Sequence, residues 1–210
     1  IEQTSRRPTI QATFPDGRIF EGQRGTTVEP FMRQAFPKSQ DGHIVAALLN
    51  GKLRELTTPL NSDTTINPIS TADFDGSRIY RRSLSFLLIA AAAELFSDDT
   101  LIIHHSMPFG GFYCERQNRQ PYSQTQLDQL KQRMRELVTE NLPIRKEQLP
   151  LEAALELFHA SGDEEKAQLF AKRRKDYLTI YELNGVKDYF HGFMVPSTGY
   201  LNLFDLRPYS

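Results

Sequence analysis

The stretch RIYRRSLSFLLIAAAAELF, residues 78–96, decides the fold of the larger part of the chain. From Ser83 onward it is apolar on nearly every side, which is typical of a helix buried at the centre of a domain. We therefore predict a buried helix over residues 83–96. Its longest apolar run, residues 86–93, is far shorter than the roughly 20 residues that cross a bilayer, so we expect no membrane partner.

Apolar periodicity around this helix predicts a mixed α+β domain over residues 78–210. Helices are expected at residues 123–140, 151–159 and 164–172. Strands are expected at residues 101–104, 111–115, 177–183, 190–195 and 200–206. The first of these helices opens on Ser123-Gln124-Thr125-Gln126, which has the spacing of a capping box.

The first third of the chain predicts a separate, smaller domain over residues 8–70. Alternating strands flank Pro15-Asp16-Gly17, a short helix follows Thr27, and Asn50-Gly51 predicts a tight turn between later strands. The order ββαββ indicates a ubiquitin-like β-grasp. Residues 71–77 are small, polar and contain glycine, so we predict that they link the two domains.

Composition limits the possible partners and location of the chain. It has 210 residues, and 25 Lys+Arg against 26 Asp+Glu give a net charge of −1. No overall field therefore attracts nucleic acid or an anionic membrane, and any polyanion site must be a local patch. The only cysteine, Cys114, excludes an internal disulfide framework, and a cytoplasmic location is expected.

Several segments carry a resemblance to a known pair of domains. Residues 46–53, AALLNGKL, and 56–60, LTTPL, resemble the TGS domain of threonyl-tRNA synthetases. Residues 91–96 and 111–113, together with Gly192 and Val195-Pro196, resemble the editing domain of the same enzymes. The resemblance implies a TGS-like β-grasp followed by an editing-like α+β domain.

The metal positions of that editing family hold other residues in this chain. The family has a His-x-x-x-His pair and a Cys-x-x-x-His pair, whose spacing lets two side chains on one helix face reach one ion. The resemblance places these pairs on Phe86 with Ala90, and on Phe190 with Met194. Phenylalanine and alanine do not bind metal, and a lone thioether is too weak a donor for zinc. We expect a degenerate zinc site and no metal.

A second resemblance covers the segments in which this chain differs from the editing family. Residues 80–87, YRRSLSFL, and 188–200, DYFHGFMVPSTGY, are similar to the N-terminal region of bacterial uridine kinase-like proteins of the phosphoribulokinase/uridine kinase family. It implies that a C-terminal P-loop kinase domain, using ATP and Mg²⁺, follows residue 210 in the parent chain. The chain itself has no G-x-x-x-x-G-K-[ST] segment, so kinase activity is not expected of these residues, and no cofactor is predicted for them.

An anion-binding site is predicted near the beginning of the buried helix. Arg81 and Arg82 are expected just before it, and Ser83 and Ser85 in its first turn, where free N–H groups and the helix dipole favour an anion. The alternative is a solvated arginine pair with Ser83 as the N-cap.

Other candidate residues lie on predicted strands. His104 and His105 are adjacent and face opposite sides, so one of them is expected to line the cleft with Tyr113. His191 lies beside the lost ligand position. Cys114 with His104 or His105 is the only nucleophile and base pair that the sequence suggests. The alternatives are structural histidines and a buried cysteine that acts as a small apolar residue.

A run of four cations precedes two tyrosines: Lys172, Arg173, Arg174 and Lys175 come before Tyr177 and Tyr181. Such a run with aromatic residues could bind RNA through phosphate contacts and stacking. The alternative is a solvated helix end, where cations complement the C-terminal dipole.

Three hypotheses for the function follow. The leading one is a non-catalytic binding or regulatory module of a nucleoside kinase-like protein, which binds a nucleotide or RNA in the former editing cleft. The second is a metal-independent aminoacyl-tRNA deacylase. The third is a scaffold whose former pocket has been filled by Phe86, Phe190 and Met194.

Overall fold

The computed structural model describes residues 5, 7–37, 43–97, 100–107, 110–117 and 120–209, without the side chains of His105 and Ser106. The chain divides into two compact units. The first unit consists of residues 1–143 and 192–210, and the second unit is Ile144–His191. Helices and strands are mixed in both, which confirms the predicted α+β class. No helix of the described residues is long and apolar enough to cross a membrane.

The first unit begins with the predicted β-grasp. Its elements are β1 (Thr9–Thr13), β2 (Ile19–Gln23), α1 (Val28–Ala35), β3 (Ile44–Leu49), β4 (Lys52–Glu55) and β5 (Thr64–Ser70). The sheet has the order β2-β1-β5-β3-β4, with β1 and β5 parallel at its centre. Helix α1 covers it, and the core includes Ile10, Phe31, Met32 and Ile66. Alternating burial along β1 places every second residue in this core.

The turns of the β-grasp follow from their residue types. Asn50 and Gly51 both have positive φ, 47° and 77°, and connect β3 to β4 with Leu49 opposite Lys52. Only glycine and asparagine adopt this conformation easily, which is why the Asn-Gly pair predicted the hairpin correctly.

Helix α2 (Phe74–Leu95) is longer than predicted and begins nine residues before Ser83. Asp73 is its N-cap, and its carboxylate accepts hydrogen bonds from the Ser70 N–H and hydroxyl. Gly76, which the sequence placed in a linker, is buried. A Cβ at this position would lie 1.8 Å from the Ser70 carbonyl oxygen, so no larger residue fits there. Close approach to β5 therefore explains this glycine. The domain boundaries at residues 70 and 78 stay a prediction.

The remainder of the first unit surrounds α2. Strands β6 (Leu101–Ser106) and β7 (Phe112–Arg116) form an antiparallel hairpin, and α3 (Gln124–Glu140) packs against α2. Helix α3 begins with the predicted capping box between Ser123 and Gln126. Arg133 on α3 pairs with Glu94 on α2 at 2.5 Å.

Residues 193–203, which we call the fastening segment, are not extended strands as predicted. A 3₁₀ turn occupies Thr198–Tyr200, and the residues on either side of it are irregular. Apart from a single bridge between Ser197 and Pro143, several of their backbone groups bond to distant side chains and not to a neighbouring strand. The Tyr80 hydroxyl, for example, donates to the Leu203 carbonyl oxygen at 3.1 Å and accepts from its N–H at 2.8 Å. Alternating apolar residues in this segment therefore do not indicate a sheet.

The second unit is a three-stranded antiparallel sheet with two helices. It contains β8 (Arg145–Pro150), α4 (Leu151–Ala160), α5 (Glu164–Ala171), β9 (Tyr177–Leu183) and β10 (Val186–Asp188). The strand order is β10-β9-β8. Its core is formed by Ala154, Phe158, Ala167, Phe170, Leu178 and Ile180. Strand β8 was not predicted, because its sequence RKEQLP has no apolar alternation.

Candidate functional site

The β6–β7 hairpin brings four polar and aromatic side chains together. His104 Nε2 lies 3.3 Å from Glu115 Oε2, and the Tyr113 hydroxyl donates to the same carboxylate oxygen at 3.4 Å. The His104 and Tyr113 rings are 5.6 Å apart, and the Tyr209 ring packs on Tyr113 at 5.3 Å. We call His104, Tyr113, Glu115 and Tyr209 the hairpin face.

Strand alternation places these residues on one side of the hairpin. Tyr113 and Glu115 are two apart on β7, so they project to the same side. The His104 side chain is 40% exposed, and Tyr209 is 71% exposed. The hairpin face is therefore accessible to a ligand.

The Glu115 carboxylate affects the protonation of its neighbour Tyr113. It is the largest cause of a raised Tyr113 pKa, since a nearby carboxylate disfavours the phenolate, and desolvation adds to the effect. Tyr113 thus keeps its proton at neutral pH and acts as a hydrogen-bond donor. A carboxylate flanked by an imidazole and a phenol also accepts hydrogen bonds from hydroxyl or amino groups of a ligand.

Cys114 projects to the opposite side of β7. It is paired in register with Ile103, whereas His104 belongs to the other side. Burial raises the pKa of its thiol to about 11, so almost no reactive thiolate exists at neutral pH. The structure therefore gives no support to a Cys114 nucleophile activated by His104.

The other two candidate histidines contribute less. His105 follows His104 on β6, and its side chain lies outside the described residues. His191, in the second unit, is exposed, and its Nδ1 lies 3.4 Å from the Tyr189 hydroxyl. Residues 190–191 are not in a strand, so the predicted alternation does not determine where His191 points.

The predicted anion site at the beginning of α2 is wrong in its position. Because α2 begins at Phe74, residues 81–85 lie about two turns inside the helix, beyond the four free N–H groups of its first turn. The Arg81 guanidinium contacts the Phe112 ring at 5.9 Å, and its Nη1 is 3.5 Å from the Gly110 oxygen. Arg81 therefore contacts the hairpin at the beginning of β7.

Arg82, Ser83 and Ser85 are bonded within the protein. Arg82 Nη1 donates to the Phe193 carbonyl oxygen at 2.8 Å. The buried Ser83 hydroxyl donates to Ile79 oxygen at 2.8 Å and accepts from the Val195 N–H at 3.0 Å. Ser85 donates to the Arg81 oxygen at 3.1 Å. These side chains hold the fastening segment and the helix itself.

Three of the four former ligand positions lie in the core of the first unit. Phe86 and Ala90 are fully buried on α2, and Met194 is 2% exposed. The Met194 sulfur is 3.4 Å from the Ser83 hydroxyl, and the Met194 backbone N–H donates to Glu55 Oε1 at 3.0 Å. Phe190 lies in the second unit and is half-buried. Packing and hydrogen bonding therefore account for Phe86, Ala90 and Met194.

Among the described residues, no group of three or more His, Cys, Asp and Glu side chains is arranged to hold a metal ion. The hairpin face has only His104 and Glu115 as metal-ligand types. Catalytic zinc sites use three protein ligands. The four residues of the hairpin face can supply hydrogen bonding, stacking and proton transfer.

The four cations at residues 172–175 follow helix α5. Lys172 is the C-cap residue, and Arg173, Arg174 and Lys175 lie beyond the helix. Lys172, Arg174 and Lys175 are exposed, and the Lys175 ammonium sits 5.5 Å from the Tyr177 ring centre. We call Lys172, Arg173, Arg174 and Lys175 the basic run.

Two residues of the hairpin face were not among the sequence candidates. Glu115 could have been inferred from its spacing, because it lies two residues after Tyr113 and shares its side of the strand. Tyr209 gave no local signal, since it reaches Tyr113 from a segment 96 positions later in the chain.

Comparison with known proteins gives a consistent result. No protein-family model matches the chain. It is 31% identical over 198 residues to threonine–tRNA ligase 1 of Bacillus subtilis, covering 94% of the chain and 30% of the relative. The threonine–tRNA ligase of Streptococcus agalactiae is 33% identical over 199 residues, with 94% and 30% covered. That of Halalkalibacterium halodurans is 30% identical over 199 residues, with 94% and 31% covered.

Almost the whole chain is similar to threonine–tRNA ligases. The fold agrees, since a β-grasp precedes an editing-like α+β domain. The chain spans only about 30% of the length of these relatives. The three relatives named are ligases and not kinases, so they lend no support to the uridine kinase-like resemblance.

Proposed function

We propose that this chain binds the 3′ end of a tRNA at the hairpin face. The single observation that supports this most is the row of His104, Tyr113 and Tyr209 rings, of which His104 and Tyr113 also contact the Glu115 carboxylate. Unstacked bases bind on aromatic rings, and carboxylates accept hydrogen bonds from ribose hydroxyls and exocyclic amines. The names of the relatives, threonine–tRNA ligases, supply the class of RNA.

Arg81 and Phe112 contact each other on the other side of the hairpin. The guanidinium lies 5.9 Å from the Phe112 ring and next to the Gly110 carbonyl, so it braces the end of β7. A site on a braced hairpin is held in one shape before the ligand arrives, which reduces the entropic cost of binding.

The test uses the whole chain and a short fluorescent RNA that ends in CCA. Stacking on an aromatic side chain contributes about 1–3 kcal/mol per base, so Tyr113→Ala is expected to weaken binding roughly 5- to 150-fold. Tyr113→Phe keeps the ring and is expected to keep most of the affinity. Phe74→Ala is the control, because Phe74 is an exposed aromatic residue elsewhere in the first unit. Equal affinities of Tyr113→Ala and the wild type contradict the proposal.

A second candidate function is metal-independent hydrolysis of aminoacyl-tRNA. It is favoured by the 3.3 Å contact between His104 and Glu115, which orients an exposed imidazole beside a carboxylate. The His104 imidazole would take a proton from a water molecule as the water oxygen attacks the ester carbonyl carbon. The ester C–O bond then breaks, and the ribose oxygen takes the proton back, leaving free amino acid and tRNA.

Hydrolysis of a mischarged tRNA by the purified chain tests this candidate. His104→Asn is expected to lower the rate about 100-fold, since a general base contributes about 10²–10⁴-fold. Cys114→Ser is expected to keep the wild-type rate. A wild-type rate no faster than that of the spontaneous reaction leaves binding alone as the function.

The kinase-linked role stays a prediction that rests on the sequence resemblance. A following P-loop domain with ATP and Mg²⁺ can be checked by reading the encoded polypeptide beyond residue 210. A continuation without a G-x-x-x-x-G-K-[ST] segment contradicts it. The cytoplasmic location is part of the tRNA proposal, because that is where the proposed RNA partner is charged and used.

A further inference from the structure

The basic run differs from the other cations of the second unit in its lack of acidic partners. Arg145 pairs with Glu182 at 3.4 Å, and Lys187 pairs with Glu147 at 2.9 Å. Lys166 lies between Asp163 and Asp188, at 2.8 and 2.7 Å. In contrast, no carboxylate among the described residues forms an ion pair with Lys172, Arg173, Arg174 or Lys175.

Helix α5 does not account for the whole run. Its C-terminal dipole attracts cations, but the effect falls off within the last turn. Lys172 is at the C-cap, so it can complement the dipole, whereas Arg174 and Lys175 lie beyond the helix. Three exposed cations in four consecutive residues repel each other, and their proximity needs another explanation.

Two members of the run are fixed in place by the protein. Lys175 is held over the Tyr177 ring, and the Arg173 N–H donates to the Phe170 oxygen at 2.9 Å. Arg173 Nε is buried and has no hydrogen-bond partner among the described residues. The backbone and one ring thus hold the run, while its charges are left for an external anion.

We propose that the basic run binds the phosphate backbone of RNA. The proposal rests on the tRNA-binding function for its choice of RNA, but it concerns a different surface, in the second unit. Consecutive phosphates present one charge per nucleotide, and a row of exposed cations matches such a ligand. Phosphate contacts of this kind position an RNA without reading its sequence.

The experiment measures the Kd of the whole chain for a stem-loop RNA with a single-stranded CCA tail at several KCl concentrations. Each phosphate contact contributes about 0.7–0.9 to the slope of log K against log salt. Arg174→Gln/Lys175→Gln is expected to reduce that slope by about 1.5 and to weaken binding about tenfold at low salt. The change in slope is the main readout.

The matched control is Arg145→Gln/Lys187→Gln. It removes the same formal charge from the same unit, but its cations are already paired with carboxylates. We expect this control to keep the wild-type slope. Equal slope changes in the two double variants would reduce the effect to net charge and overturn the proposal, as would an unchanged slope in Arg174→Gln/Lys175→Gln.

Two further measurements distinguish this proposal from RNA binding at the hairpin face and from binding of a small anion. The short CCA-ending RNA alone is expected to bind Arg174→Gln/Lys175→Gln like the wild type, while Tyr113→Ala weakens it. If the short RNA fails to bind the wild type but the stem-loop slope still changes, the hairpin-face proposal fails and the basic run stands. If inorganic phosphate displaces the stem-loop at equal phosphate concentration, the basic run binds a small anion. That result would overturn the proposal.

Discussion

Helix α2 and the β6–β7 hairpin both carry polar side chains at their centres, but only the hairpin presents them outward. On α2, Ser83 is fully buried, and its hydroxyl bonds to Ile79 and Val195. On the hairpin, His104 is 40% exposed, and its partner Glu115 lies on the same side of the sheet. The difference lies in what packs on each element. The backbone of the fastening segment forms hydrogen bonds with polar side chains of α2, so these side chains are not presented to a ligand.

Polar residues of two kinds therefore look alike in a sequence. A hydroxyl or guanidinium that completes the bonds of a backbone segment without regular structure contributes to stability. The same group on an open strand is available to a ligand. Substitutions on α2 should therefore change the free energy of unfolding, and substitutions on the hairpin face should change binding.

The largest effect is expected at Phe86. Phe86→Ala should lower the free energy of unfolding by about 3–5 kcal/mol, since a fully buried ring leaves a cavity. Chemical denaturation measures this, with Phe74→Ala as a control because Phe74 is 76% exposed. A loss no larger than that of the control would mean that the former ligand position is not part of the core.

The next effect concerns Cys114, on the side of β7 opposite the hairpin face. Its thiol pKa is raised from 9.0 to about 11, so alkylation by iodoacetamide at pH 8 should be about 100-fold slower in the folded than in the unfolded chain. Because the folded pKa is the higher one, the thiol's contribution to stability is present below pH 9 and is lost between pH 9 and about 11. Equal alkylation rates would show that Cys114 is open to solvent.

Ser83 comes third. Ser83→Ala should cost about 1–3 kcal/mol, because the Val195 N–H loses its acceptor in a buried place. Ser85→Ala is the matched control, since among the described residues the Ser85 hydroxyl bonds only to the Arg81 oxygen of its own helix. Unfolding midpoints of the two variants at equal denaturant slope decide the comparison. Similar midpoints would remove the fastening role of Ser83.

The smallest effect is expected on the hairpin face. Tyr113→Phe removes the 3.4 Å hydrogen bond to Glu115 near the surface and should leave the unfolding midpoint unchanged within error. The same denaturation experiment measures it. A midpoint shift as large as that of Ser83→Ala would place the hairpin face among the structural contacts instead.

Local sequence patterns predicted those elements that have a local signature, such as a tight turn, an alternating strand or a helix cap. The β-grasp followed from alternation and from Asn50-Gly51, and α3 followed from its capping box. The beginning of α2 was missed, because Gly76 next to small polar residues looks like a linker until its approach to Ser70 is known. A contact between β5 and α2 has no signature in either segment alone.

Partners that are distant along the chain explain the remaining differences. The fastening segment alternates apolar residues like a strand, yet its N–H groups bond to Glu55 and Ser83, more than 100 positions away. At the hairpin face, His104 and Tyr113 were recognised from their own strands. Tyr209 was not, because only the folded chain brings it to Tyr113.

The contact at Gly76 has a mechanical consequence. Only a hydrogen atom of this residue faces the Ser70 carbonyl, so the last strand of the β-grasp packs closely against α2. Ser83 and Glu55 tie both parts to the same segment, at 3.0 Å each. A displacement of the β-grasp is therefore expected to move α2 and the fastening segment with it.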